Sequence, residues 1–145
     1  MTEPFIERVT RMARELGWGG VDADDGSAVR IRVPREDAEP VDVFVRPCGE
    51  MHGEEVLEFA SCGLRLPAED ASKMPLLILA LQRNADVLFG HWGLDEDDDG
   101  STLRVFHSQI TETMDPPELR SAVLAVADEY ATLAEAFVDI VARRC

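Results

Sequence analysis

Apolar residues recur at spacings of four, three and four along Phe5, Val9, Met12 and Leu16, which predicts an amphipathic helix with one apolar stripe. Thr2 and Pro4 mark its start and Gly17 its end. The period then falls to two. In "AVRIRV" from Ala28, "VDVFV" from Val41 and "EVLEFAS" from Glu55, apolar and polar residues alternate, the pattern of half-buried strands joined by turns. "LLILAL" is apolar nearly all round and predicts a second helix from about Ser72 or Lys73 to about Asp86, with Pro75 tolerable only in its first turn. Such a helix belongs deep in a core or in an interface. "VLFGHWGL" and "TLRVFHSQI" predict two further strands. The last helix opens on Asp115 as cap, with Pro116 first and Glu118 three residues after the cap, the pattern of a capping box. Its apolar residues Leu119, Val123, Val126, Tyr130, Leu133, Phe137 and Ile140 form a seam that packs inside the domain.

These elements predict an α+β fold in the order α-β-β-β-α-β-β-α, with a five-stranded, mainly antiparallel sheet and the helices packed on one face. A chain of 145 residues is enough for one domain, 1–145, that buries about 70% of its unfolded surface. Alternation assigns Val29, Ile31, Val33, Val41, Val43, Val45, Leu57, Phe59, Leu103 and Val105 to the helix side of the sheet. The opposite face then carries Arg30, Arg32, Phe44, Arg46, Val56, Ala60, Arg104 and Phe106. Four arginines around two aromatic rings suit an extended polypeptide that offers apolar anchors and carboxylates. The same residues also describe an ordinary exposed sheet whose arginine stems cover the two rings.

Charge narrows the choice of partner. A formal net charge of -15 repels nucleic acid and anionic lipid, whereas 46% hydrophobic residues exclude a disordered acidic tail. No apolar run approaches the ~18 residues of a membrane span, and "MTEPFIERVTRMARELGW" lacks the pattern of a signal peptide. A cytoplasmic protein without membrane or nucleic-acid partners is expected. Three cysteines, Cys48, Cys62 and Cys145, have no repeating spacing and are expected to be reduced thiols, Cys145 being the one most open to oxidation.

The stretch "LDEDDDGS" admits two chemistries. Asp95, Asp97, Asp99 and Gly100 match the start of an EF-hand calcium loop, but Phe106 stands where a bidentate carboxylate is required. A hairpin explains more, because Asp-Gly accepts the positive φ angles of a two-residue turn. The device also occurs twice, in "WGGVDADDGSAVRI" and "WGLDEDDDGSTLRV". A divalent-ion site built on Asp95, Asp97 and Asp99, helped by His91 or His107, is the alternative. Cys48 and His52 lack a second ligand pair, "HGEE" lacks the second histidine of a zinc helix, and no phosphate loop or nucleophile elbow occurs. No enzymatic activity and no cofactor are expected.

The order of elements, with the Leu-rich helix ending near Asn84, "LFG" at Leu88 to Gly90, the acidic hairpin and the "DPPEL" opening of the last helix, resembles the type III secretion chaperone-like superfamily, which includes Tir chaperones and YbjN-like domains. The resemblance covers nearly the whole chain. It implies a small, acidic, non-enzymatic α+β protein, often a homodimer, that binds extended segments of a protein or peptide client as a secretion chaperone or regulatory adaptor. A purely structural role, with the second helix making a homodimer, is the remaining alternative.

Overall fold

The computed structural model describes residues 3–19, 21–24 and 26–145, without the side chains of 22–24. Its elements are α1 (Phe5–Glu15), β1 (Val21–Asp24), β2 (Ala28–Arg35), β3 (Ala38–Met51), β4 (Glu54–Ser61), β5 (Gly63–Arg65), α2 (Asp70–Asp86), β6 (His91–Asp97), β7 (Gly100–Ile110), α3 (Pro116–Ala136) and β8 (Ala142–Arg144). The fold is α+β with an antiparallel sheet, as the periodicity predicts. The strand count is corrected from five to eight among the described residues. The five expected strands are present; β1, β5 and β8 are short and carry too few alternating residues to register as a pattern.

Strands β4 and β5 run as one strand broken at Cys62. Ala60 pairs with Phe106, but Leu64 pairs with Leu103, a register slip of one residue. The slip changes which residues face inward: Leu57 and Phe59 before it, and Leu64 and Leu66 after it, are all buried. Where the ladder is interrupted, the Ser61 hydroxyl accepts the Val105 N–H at 2.9 Å. Strand β7 lines one edge of this composite strand, and β6 lines the far edge of β7, since Phe106 pairs with both Ala60 and His91. Along the other edge, β3 and β8 lie end to end, β3 against β4 and β8 against β5.

All ten residues assigned to the inner face are buried there, under α1 and α3. The α3 seam is buried from Leu119 to Leu133, and the capping box is complete: Glu118 N–H donates to Asp115 Oδ1 at 2.8 Å and Asp115 N–H to Glu118 Oε2 at 3.0 Å. The seam stops short of its expected end. The helix closes at Ala136, so Ile140 is exposed and the chain turns into β8 instead. At the other terminus, the Thr2 expected to mark the start of α1 lies outside the described residues.

Helix α2 begins a few residues earlier than expected, which places Pro75 at its sixth position rather than in the first turn. Only Leu76 and Ala80 are buried on it; Met74, Ile78 and Leu81 are exposed. Its end is fixed by side chains rather than by an apolar stripe. Asn84 Nδ2 donates to the Trp92 carbonyl at 3.1 Å, and Trp92 N–H donates to Asn84 Oδ1 at 2.7 Å.

The expectation of three reduced thiols is also corrected. Cys62 and Cys145 form a disulfide, because β8 returns the end of the chain to β5 and brings their Cα atoms to 4.5 Å. Sequence spacing could not reveal this, since the two lie 83 positions apart. Cys48 is the free cysteine among the described residues.

Candidate functional site

The register builds one row of residues across the outer face of the sheet. Arg30 on β2 pairs with Phe44 on β3, Phe44 with Ala60 on β4, Ala60 with Phe106 on β7, and Phe106 with His91 on β6. The two rings are separated by two interstrand spacings, roughly 10 Å, with only a methyl group between them. Phe44 and Phe106 are both partly buried, neither being among the fully buried core side chains. The Phe106 ring lies over Gly93, where a Cβ would stand 2.8 Å from Cε2. Beside Phe44 and Ala60, a cleft of about 210 Å³ is lined by Ser27, Ala28, Arg46, Ser61, Arg104 and Cys145 as well.

Arg32, Arg46 and Arg104, assigned to this face, are there, but they face carboxylates of the protein itself. Arg32 makes two bonds to Asp42, at 2.9 and 3.1 Å, across the β2–β3 ladder. Arg46 donates to Glu58 Oε1 at 3.2 and 3.3 Å across β3–β4. Arg104 Nε lies 3.1 Å from Asp95 Oδ2 as an ion pair, without the alignment of a hydrogen bond. The Asp42 carboxylate next to Arg32 is what holds that guanidinium more firmly protonated. The face is therefore a mosaic of rings and cross-strand ion pairs, not an open basic field.

The acidic hairpin is a turn, though not of the expected type. Its loop residues are Asp98 and Asp99, between the paired Asp97 and Gly100, and neither has a positive φ. Gly100 takes that role after the loop, at φ 129°, with Arg65 packed close against it. Asp97 Oδ1 accepts the Asp99 N–H at 2.8 Å, and this backbone bond, helped by Arg65, holds its carboxyl below the ordinary value. Of the three candidate metal ligands, Asp95 faces Arg104 and Asp97 faces Arg65, at 3.1 and 3.4 Å. Among the described residues, no three His, Cys, Asp or Glu side chains gather as a metal site.

The repeated sequence does form a second hairpin, β1–β2, but Asp24 there pairs with Ala28 across a longer loop. Asp25 of that loop lies outside the described residues. The two-residue turn with two positive φ angles is instead His52-Gly53, between β3 and β4, at 52° and 83°. It explains "HGEE" as a turn. His107 sits edge-on to Phe89, and burial together with nearby His91 lowers its basicity.

One polar cluster escaped the sequence reading. Glu129 on α3 is buried, accepts two bonds from Arg83 of α2 at 2.6 and 2.8 Å, and accepts the Trp92 indole N–H at 2.9 Å. Arg83 is the main reason its carboxyl stays below the ordinary range, against the opposing effect of burial. The signal was an acid at position 129 inside the stripe formed by Val126, Tyr130 and Leu133. The cluster joins α2, α3 and β6, and its role is structural.

This arrangement of helices and strands is a YbjN-like, chaperone-like α+β fold. The chain is similar to YbjN of E. coli, a candidate transcription regulator, with a TM-score of 0.66, 16% identity and 96% of each chain covered. It is also similar to a chain of the HopA1–SchA chaperone–effector complex, with a TM-score of 0.55, 19% identity, and 88% of this chain and 91% of that one covered. No family model and no curated protein matches by sequence. No helix among the described residues is long and apolar enough to cross a membrane.

Proposed function

We propose that this protein is a non-enzymatic binding module that holds an extended segment of a client protein on the outer face of its sheet. The contact residues are Arg30, Arg32, Phe44, Arg46, Arg104 and Phe106. The observation that carries the reading is the row in which Ala60 separates Phe44 from Phe106 beside the cleft. Two rings about 10 Å apart offer two separate apolar contacts to side chains of an extended segment laid across the row. Client carboxylates exchange with Asp42, Glu58 or Asp95 for the arginines, an exchange that conserves charge pairing and so gives orientation more than affinity. The likeness in fold to a chain of a chaperone–effector complex supports a protein client, and the likeness to YbjN supports a regulatory adaptor.

The test is the double substitution Phe44→Ser and Phe106→Ser, with folding checked by circular dichroism. Clients cross-linked to the parent protein in its own cell extract and identified by mass spectrometry are expected to be lost. Their retention by a folded variant refutes this face.

A second reading concerns self-association. Met74, Ile78 and Leu81 fall at spacings of four and three on one exposed side of α2, and Leu94 is exposed on β6 nearby. Apolar groups in that arrangement fit a homodimer through α2. Light scattering is expected to give twice the monomer mass, reduced to one by Ile78→Glu with Leu81→Glu. A monomeric parent protein removes this reading.

A further inference from the structure

The outer cleft has one lining residue that comes from the end of the chain, Cys145. The strand that carries it has little of its own to hold it in place. Ala142, Arg143, Arg144 and Cys145 are all exposed, and their ladder to β5 is three residue pairs long. Arg143 reaches Glu39 at 3.3 Å, but both side chains are exposed and such a pair contributes little. The last apolar anchor before it is Val141, packed against the core. Ordering a short segment without apolar burial is unfavourable, so the Cys62–Cys145 bond is the strongest restraint that keeps β8 on the sheet.

What β8 covers is the edge of β5. Gly63 admits the approach on that side, since a Cβ there would stand 3.3 Å from the Arg144 carbonyl and would collide with the Thr102 methyl. The covered edge continues the line of β3 and lies beside Phe44, Ala60 and Arg104. An uncovered edge of this kind takes an extended chain by backbone pairing.

We propose that Cys62 and Cys145 form a thiol-operated latch: closed, it holds β8 over the edge of β5; opened by a dithiol reductant, it releases residues 142–145 and frees that edge for an extended client segment. The client part rests on the proposed function above. Cys62 is 3% exposed, so the reductant thiolate attacks Cys145 Sγ. The S–S bond breaks, Cys62 leaves as a thiolate and takes up a proton, and Cys145 is held in a mixed disulfide. The second reductant thiol displaces Cys145 as a thiol and becomes oxidised, so two electrons pass to the protein and the reductant gains a disulfide. A disulfide oxidant runs the steps in reverse. Cys48 is a free and exposed thiol outside this pair, and it is removed in the experiment.

The experiment uses the full chain with Cys48→Ser. Hydrogen exchange by mass spectrometry compares the oxidised protein, the dithiothreitol-reduced protein and a Cys145→Ser variant. Exchange at residues 62–66 and 142–145 is expected to rise about tenfold or more on opening, with α3 unchanged and Cys62 newly open to alkylation. Equal protection in all three forms overturns the latch, as does recovery of both thiols free after air oxidation. A permanently unfolded, carboxymethylated polypeptide then serves as the client probe in fluorescence anisotropy. Tighter binding by the Cys145→Ser form than by the oxidised form, lost with Phe44→Ser and Phe106→Ser, supports the whole proposal. Binding that needs the two rings but is equal in both redox forms overturns the role of the edge. No binding in either form, with exchange still responding, removes the client reading and leaves the latch.

Discussion

Glu129 is the most stringent test of how this fold is held together. Glu129→Gln keeps the shape and removes the charge. The carboxylate is 6% exposed; Oε1 accepts Arg83 Nε and the Trp92 indole N–H, and Oε2 accepts Arg83 Nη2. In the amide, the carbonyl oxygen keeps the place of Oε1 and its two bonds. The NH2 group then meets Arg83 Nη2, donor against donor, and one charge-assisted bond is lost. Such a bond contributes about 1.5–3 kcal/mol. The Arg83 side chain is 35% exposed and can turn part of its guanidinium to water, which sets the expected loss near the middle, about 2 kcal/mol. For a domain of this size that is a fall in Tm of roughly 4–8 °C.

The pH dependence separates lost charge from lost shape. The carboxyl of Glu129 is lowered on folding below its ordinary 4.5, so the folded state binds its proton less readily than the unfolded state. The stability it contributes is fully present above the ordinary value and is lost as pH falls through the lowered one. Glutamine does not titrate, so the gap between parent and variant should be widest near neutrality and should narrow at about pH 3.5. Urea unfolding followed by tryptophan fluorescence at both pH values measures it, with the other carboxylates common to the two proteins. A gap that is the same at both pH values, or below about 0.5 kcal/mol at neutrality, refutes the assignment of charge to this cluster.

Three further outcomes are expected. Ser61→Ala leaves the buried Val105 N–H without its acceptor and should cost about 1–3 kcal/mol in urea unfolding, a larger loss than exposed serines show. Asp115→Ala removes one half of the capping box on α3 and should cost about 1 kcal/mol, measured the same way. Calorimetric titration of chelator-treated protein with calcium should give no heat at micromolar ion, because Asp95 and Asp97 already face Arg104 and Arg65; micromolar binding would revive the metal reading of the hairpin.

The residues that were legible in the sequence are those whose role is local or periodic. Alternation placed Phe44 and Phe106 opposite Val43 and Val105, and the Asp115–Glu118 spacing placed the start of α3. The residues that were not legible act at a distance. Nothing near Cys145 announces a strand, because β8 has three exposed residues and no apolar alternation, and its partner is fixed by topology alone. The ion pairs of the outer face were missed for the same reason: only the register sets Asp42 and Glu58 opposite Arg32 and Arg46. Glu129 had a visible signal, an acid in an apolar stripe, but its partner Arg83 is named only by the packing of α2 on β6 and α3.

The slip at Ser61 connects these observations. Had β4 continued without it, the inward positions after Phe59 would have stayed odd-numbered, and Leu64 and Leu66 would have faced outward. The bulge turns both into the core, and it interrupts the edge at the same place. β3 therefore pairs only as far as Ser61 and β8 begins at Gly63, so two different segments of chain meet along one edge. The cleft lies at that junction, lined by Phe44 from one segment and Cys145 from the other. A site at the junction of a fourteen-residue strand and a three-residue strand is asymmetric in stability: β3 is held along its length, and β8 by three residue pairs and one covalent bond. Only the short side can be displaced without unfolding the core, which is why a change in redox state is coupled to this face and not to the remainder of the sheet.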